Sequence, residues 1–229
     1  MRARLALMHC GAQCVLREVV LKDKPAHMLQ VSSKGTVPVL VLSIEENTSK
    51  GSVADETGHR YNTTANTRII DESIDIMQWA MNDNPTRHLD NAKEWQITEL
   101  MNVDEVNALI WQNDFEFKSH LDKYKYSDRH PEHSQTYYLE QASPFLEELE
   151  YILCNSPYLG GSQFRFPDAA ILPFIRQFSM VDYKQFNTLP LPKLQKWLIS
   201  GIECDLFRSV MHKVPQWKPD EGAVVFGKL

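Results

Sequence analysis

The chain is poor in the features that mark several large protein classes. Only four cysteines, Cys10, Cys14, Cys154 and Cys204, are scattered over 229 residues. That is too few for a disulfide scaffold and points to a reducing, cytoplasmic setting. No apolar run approaches the ~20 residues that span a bilayer, so no membrane partner is expected. Basic charge is in deficit: 24 Lys and Arg against 30 Asp and Glu give a net charge of −6. This argues against a nucleic-acid partner held by a broad basic face. The first eight residues begin basic, but their apolar stretch stops too soon for a signal peptide. Internal repeats, low-complexity tracts and coiled-coil heptads are missing, as are a Gly-rich phosphate loop, a nucleophile elbow and a zincin helix. His130-Pro131-Glu132-His133 and His9-Cys10 lack a closed set of four ligands. They read as surface histidines, and no metal is expected.

What is present is an ordinary globular balance, with 43% hydrophobic and 24% charged residues. At this length the chain can bury a substantial core, in one large domain or two small ones. Residues 2–10 read as a helix with Leu5, Leu7 and Met8 on its apolar side, stopped by Gly11. Residues 14–21 are rich in β-formers and end in the turn Lys22-Asp23-Lys24-Pro25, with a short helix over 26–29. Residues 37–42 and 67–70 read as strands, and Asp71-Glu72-Ser73 opens a helix carrying Ile74, Met77 and Met81. The order is helix, strand, helix, strand, strand, helix.

Between the two later strands, residues 43–66 are polar, and only Ile44, Val53 and Tyr61 offer anchors. A structureless loop of that length is uncommon inside a compact domain. The segment is expected to be an insertion at a hairpin tip, partly disordered or an extended hairpin. From Asn82-Asp83-Asn84-Pro85 onward the pattern is helical throughout. Predicted helices cover 92–117, 134–154, 167–178 and 191–211. Their core candidates are Trp95, Leu100, Val103, Val106, Ile110 and Trp111, then Tyr138, Phe145, Leu149 and Ile152. The expected division is a domain over 1–82, with the insertion at 43–66, and a helical domain over 83–229. The aromatics near Trp111 and Phe115, with Tyr124 and Tyr126, read as helix core or as one wall of a cleft.

The strongest functional signal is Lys34-Gly35-Thr36-Val37-Pro38-Val39-Leu40, followed after the insertion by Ile70-Asp71-Glu72-Ser73-Ile74. Proline at the head of a central-looking strand removes a ladder donor and is unusual. With a cis bond there, Val37 turns its backbone outward toward an extended ligand. Glu72 and Ser73 put an acid and a hydroxyl at a helix N-terminus, where free N–H groups favour a bound carboxylate. Together they suit a small peptide bearing both an amine and a carboxylate. Taken singly, each motif also reads as a strand-start proline and an ordinary helix cap.

In this order the motifs resemble the thioredoxin-like domain of the cytosolic glutathione transferases, most closely the omega-type and related bacterial members. The resemblance extends to Arg2-Ala3-Arg4-Leu5-Ala6-Leu7, Leu21-Lys22-Asp23-Lys24-Pro25, Tyr158-Leu159-Gly160-Gly161 and Phe166-Pro167-Asp168-Ala169-Ala170-Ile171. It covers nearly the whole chain outside the insertion. It implies an α/β thioredoxin-like domain followed by an all-α domain, with glutathione as co-substrate and a small electrophile or disulfide as second substrate. Dimerisation is a further expectation from the family. By the same resemblance, Val37 would pair its backbone with the cysteinyl unit of glutathione and Glu72 would receive the γ-glutamyl amine. Ser73 would hold the γ-glutamyl carboxylate, Lys24 would meet the glycyl end, and Pro38 and Asp168 would serve structurally.

Three departures stand out. Ser32-Ser33 replaces a frequent Asn-Pro, which is expected to matter little. Arg165 replaces the usual capping Ser or Thr three residues before Asp168, which leaves Asp168 without a partner hydroxyl. In the family, a strand and a loop bearing the Cys, Ser or Tyr that engages the glutathione sulfur precede the first helix. Here that residue would fall upstream of Met1, so no catalytic residue is assigned. The natural start is expected to lie upstream, or the gene to be degraded. Without that strand, the edge of the 37–42 strand and part of the core would be exposed. Cys10 and Cys14 lie at the far end of the helix from its positive N-terminal dipole and read as idle thiols. The family implies a glutathione transferase, of thiol-transferase or glutathione-dependent reductase type if the missing residue is Cys. The alternative is a binding or scaffold protein that keeps the fold without the chemistry.

Overall fold

The computed structural model describes residues 1–43, 53–54, 60–61, 67–96, 99–219 and 222–227. A thioredoxin-like N-terminal domain of small sheets and helices leads into a helical domain, the class anticipated above. The first domain runs α1 (Arg2–His9), β1 (Cys14–Leu16), α2 (Ala26–Val31), β2 (Leu40–Ser43), β3 (Val53–Ala54), β4 (Arg60–Tyr61), β5 (Thr67–Ile70) and α3 (Ser73–Asn82). Helix α1 is almost wholly enclosed: Leu5 and Ala6 have no exposed surface, and Ala3, Leu7 and Met8 have little. Its alanines let it pack closely on α3, which presents Ile76, Met77 and Ala80 to the core. Full burial of each such side chain other than alanine stabilises by ~1.5–3 kcal/mol. Gly11 stops α1 as expected, at φ +68, and a Cβ there would strike the His88 ring at 2.6 Å.

β2 and β5 pair antiparallel, from Leu40 opposite Ile70 to Ser43 opposite Thr67. β1 is shorter than the 14–21 expected, because the chain turns away into a one-bridge turn between Val20 and Asp23. Most of the 43–66 insertion lies outside the described residues. Of its backbone, Val53 pairs with Tyr61 and Ala54 with Arg60.

The helical domain comprises α4 (Leu89–Gln96), α5 (Val103–Gln112), α6 (Lys118–Lys125), α7 (Gln135–Leu153), α8 (Phe166–Ser179), α9 (Tyr183–Thr188), α10 (Pro192–Glu203) and α11 (Asp205–Val210). The single helix expected over 92–117 is two. Asn102 restarts the chain with a reciprocal capping box: its side chain accepts from the Glu105 N–H, and Glu105 accepts from the Asn102 N–H. A π turn, Asn113–Phe117, then joins α5 to α6. Leu100, Val103 and Trp111, taken as core from their spacing, are exposed, Val103 to 70%. The core face of α5 is instead Val106, Leu109 and Ile110. The helix expected over 191–211 also divides, at Cys204, whose sulfur accepts from the Phe207 N–H and caps α11. None of these described helices is long and apolar enough to cross a membrane.

Asp168 is fully buried at the start of α8. One carboxylate oxygen accepts from the Leu159 N–H at 2.7 Å and the Trp197 indole N–H at 2.7 Å. The other accepts from the N–H groups of Gly160 and Arg165, both at 3.0 Å. The Arg165 guanidinium has no lone pair to complete a capping box. It donates instead to the Glu94 carbonyl and the Glu99 carboxylate, each at 2.8 Å. Burial pushes the Asp168 carboxyl up to about 6, while its donors pull the other way.

The two domains are joined by polar contacts as well as by packing. Arg2, buried at the start of α1, donates two bonds to Asp114 in the π turn, at 2.6 and 2.7 Å, and a third to the Ala170 carbonyl. His9 stacks on Trp95 at 4.2 Å, and its ring bonds the Asn91 carbonyl at 2.9 Å. After α11 the chain returns to the first domain. The Trp217 N–H donates to the Glu18 carbonyl at 2.9 Å, and its ring lies against Arg17 and His27. It then forms β6 (Val224–Phe226), antiparallel to β1 with Cys14 opposite Phe226. Among the described residues, β2 bonds to β5 and β1 to β6, and the two pairs do not join into one sheet.

Candidate functional site

The β2–β5 ladder fixes where the sequence-predicted residues meet. Leu40 opposite Ile70 is its last pair. Val37 and Pro38 therefore enter, and Asp71, Glu72 and Ser73 leave, at the same end. The Val37–Pro38 peptide is cis. Val37 is 47% exposed although it is an apolar residue next to a strand.

Glu72 is the N-cap of α3 in an extended conformation, yet its side chain does not fold back to cap the helix. The carboxylate points outward, with its side chain 56% exposed. Ser73 is the first residue of the helix, where backbone N–H groups lack intrahelical partners. Asp75 adds a further negative charge in that first turn.

The opposite wall is the loop before Val37. Gly35, at φ +59, closes a turn by donating its N–H to the Ser32 carbonyl at 3.1 Å. That turn presents Lys34 to the acids. The ammonium donates to Glu72 Oε1 at 2.7 Å and to Asp71 Oδ1 at 3.2 Å. The buried Ser32 donates its hydroxyl to the other oxygen of Asp71 at 3.0 Å. The Ser32 hydroxyl, then Lys34, holds the Asp71 carboxyl below its ordinary range. Glu72, then Asp71, raises the Lys34 ammonium above its own. Lys24 is half-buried behind the loop, and a Cβ on Gly35 would lie 3.9 Å from its ammonium nitrogen.

The structure thus gathers Lys24, Val37, Glu72 and Ser73 around one loop and one helix start. Ser32, expected to matter little, ties that loop to Asp71. Lys34 and Asp71 lie inside the sequence motifs without a role that spacing assigns, because the signal that pairs them is tertiary. The aromatics split: Tyr124 is core, whereas Trp111 and Phe115 stack on each other at 5.4 Å on the exposed side of α5 and the π turn. Their exposure corrects the core reading of that pair.

Of the thiols in the first domain, Cys10 is buried and Cys14 half-buried. Cys10 is enclosed, and burial pushes it up to about 11, against a smaller opposing pull from Arg87. Burial likewise raises Cys14. Among the described residues, no three His, Cys, Asp or Glu side chains group so as to hold a metal ion.

Comparison with known proteins bears on the fold. Residues 1–82 match the family model described as glutathione S-transferase, N-terminal domain. No curated protein sequence matches the chain. Solved structures do. BphK, a bacterial glutathione S-transferase in a ternary complex, is 18% identical with a TM-score of 0.62, covering 92% of each chain. Glutathione S-transferase III in its apo form is 14% identical with a TM-score of 0.62, covering 93% of each chain. A glutathione transferase from Burkholderia graminis with two glutathione molecules bound per subunit is 13% identical, with a TM-score of 0.62 over 91% of this chain and 81% of that one. This chain has the glutathione S-transferase fold, and its residues 1–82 match that family's N-terminal domain.

Proposed function

We propose that the protein binds glutathione between the Val37 edge and the start of α3. Val37 pairs its backbone with the cysteinyl unit, and Glu72 takes the γ-glutamyl ammonium. Ser73 and the free N–H groups of α3 take the γ-glutamyl carboxylate, and Lys24 meets the glycyl end. One observation carries this reading: the exposed Val37 and the outward Glu72 carboxylate emerge at the same end of one ladder. A sulfur chemistry of omega type, acting on a disulfide or a small electrophile, accompanies the binding where the natural protein carries the family's cysteine ahead of α1. The domain boundary is assigned to Asn82 and Asp83, with a cytoplasmic homodimer as the working assembly.

Calorimetric titration of glutathione tests the binding. Hydrogen bonds to charged groups contribute ~1.5–3 kcal/mol, less when solvent-exposed, so Glu72→Ala and Ser73→Ala should each weaken binding about five- to tenfold. Unchanged affinity in both variants would remove the assignment. A second reading, binding without chemistry, is favoured by the sealed Cys10 and half-buried Cys14, both with raised thiol pKa. It predicts no turnover of a glutathione mixed disulfide by the 229-residue chain even where glutathione binds.

A further inference from the structure

We infer that Lys34 is a stand-in for the ligand's ammonium group and tunes how strongly the site selects ligands that carry one. The inference rests on the glutathione reading and adds a specificity-determining residue to it. Lys34 places a primary ammonium 2.7 Å from the carboxylate assigned to the ligand's own primary ammonium. The two cations are chemically equivalent, so an incoming ligand meets a Glu72 that is already neutralised.

Lys34 is free to yield. Its side chain is 50% exposed on a flexible four-carbon stem, and it keeps a second partner in Asp71, which Ser32 holds in place. A zwitterionic ligand can therefore exchange partners with the protein. Its ammonium replaces Lys34 on Glu72, and its carboxylate arrives at Ser73 beside the released lysine. Charge stays balanced throughout. A ligand without the ammonium has nothing to exchange. It meets a closed Lys34–Glu72 pair, in which the charge of Glu72 is compensated and adds no repulsion of its carboxylate.

Without Lys34, Glu72 stands bare. An ammonium then gains a free partner, whereas a ligand bearing only the carboxylate faces an uncompensated negative charge. Lys34 thus moderates discrimination, and its removal should sharpen it.

The test is calorimetric titration of wild type, Lys34→Met, Lys34→Arg and Glu72→Gln with two probes: glutathione, and the same tripeptide lacking the γ-glutamyl amino group. Exposed ion pairs are weak, so the affinity ratio of glutathione to the deaminated probe should rise about three- to fivefold in Lys34→Met. Lys34→Arg, which keeps the charge, should stay within about twofold of wild type. Equal changes for both probes in Lys34→Met, or none, overturn the inference while leaving glutathione binding intact. If wild type fails to bind glutathione, or Glu72→Gln leaves its affinity unchanged, the glutathione reading fails and the inference falls with it.

Discussion

Helices α8 and α3 both start beside a carboxylate, and the surroundings of the two acids are opposite. At α8, Asp168 has no exposed surface and four N–H donors, one of them an indole from a helix 29 residues away in sequence. At α3, Glu72 faces solvent and holds a lysine. The same chemical group at the start of a helix is thus a fastening in one domain and, on the function proposed above, a receptor in the other. Burial decides which. A sealed carboxylate fixes the N–H groups converging on it, because leaving any of them unpaired is costly. An exposed carboxylate on a flexible counter-ion adds little stability, and for that reason it can exchange its partner.

The contrast breaks most sharply under substitution. Asp168→Ala strands four buried donors at ~1–3 kcal/mol each, on the order of the ~5–15 kcal/mol that holds a domain together. Urea unfolding followed by circular dichroism should then show no cooperative folded baseline. Glu72→Ala in the same assay should shift stability by no more than ~0.5 kcal/mol. Similar shifts in the two variants would abolish the distinction.

Cysteine chemistry repeats the division between sealed and open groups at intermediate size. With its thiol pushed up to about 11 and no exposed surface, Cys10 has only ~0.1% thiolate at pH 8. Iodoacetamide labelling read by peptide mass mapping should modify exposed Cys154 first and Cys10 last, at least ~100-fold apart in rate. Comparable rates would mean that the core under α1 is open.

The smallest effect is the pH dependence, and its sign separates the two helix starts. Asp71 is held below its ordinary 3.8, so its stabilisation is present above that value and is lost as pH falls through the lower folded-state value. The stability difference between wild type and Asp71→Asn should be flat near neutrality and shrink below pH 3.8. Asp168 runs the other way. Its folded value of about 6 lies above 3.8, so that group favours the folded state increasingly as pH falls through 6 toward 3.8. A chemical-denaturation series of wild type and Asp71→Asn across this range checks the first sign, and NMR titration of the Asp168 carboxyl in the wild type checks the second.

How far the sequence reached depended on whether the signal was local. Gly11, the proline at the strand head and the acid–serine start of α3 are short-range signals, and each marked its element. Ordered together, they pointed to the two-part fold. Helical periodicity misled where a polar cap interrupts it: Asn102 and Glu105 begin a new helix inside a stretch that reads as continuous. It also put Val103 and Trp111 on the wrong face, because the register restarts there. Lys34, Ser32 and Asp71 converge only after β2 and β5 have paired, so no spacing along the chain announces them. Val224-Val225-Phe226 has β-forming residues, but three are too few to read as a strand until β1 is seen beside them.

That last pairing has a consequence for synthesis. β1 is made about 200 residues ahead of its partner β6. Local structure such as α1 can form as it leaves the ribosome, but the β1 edge must wait. Until then it is an unpaired row of amide and carbonyl groups on a nascent chain, open to other strands. That domain is therefore completed only after the helical domain between its two strands has been made, and its exposure to aggregation lasts as long as the helical domain takes to emerge.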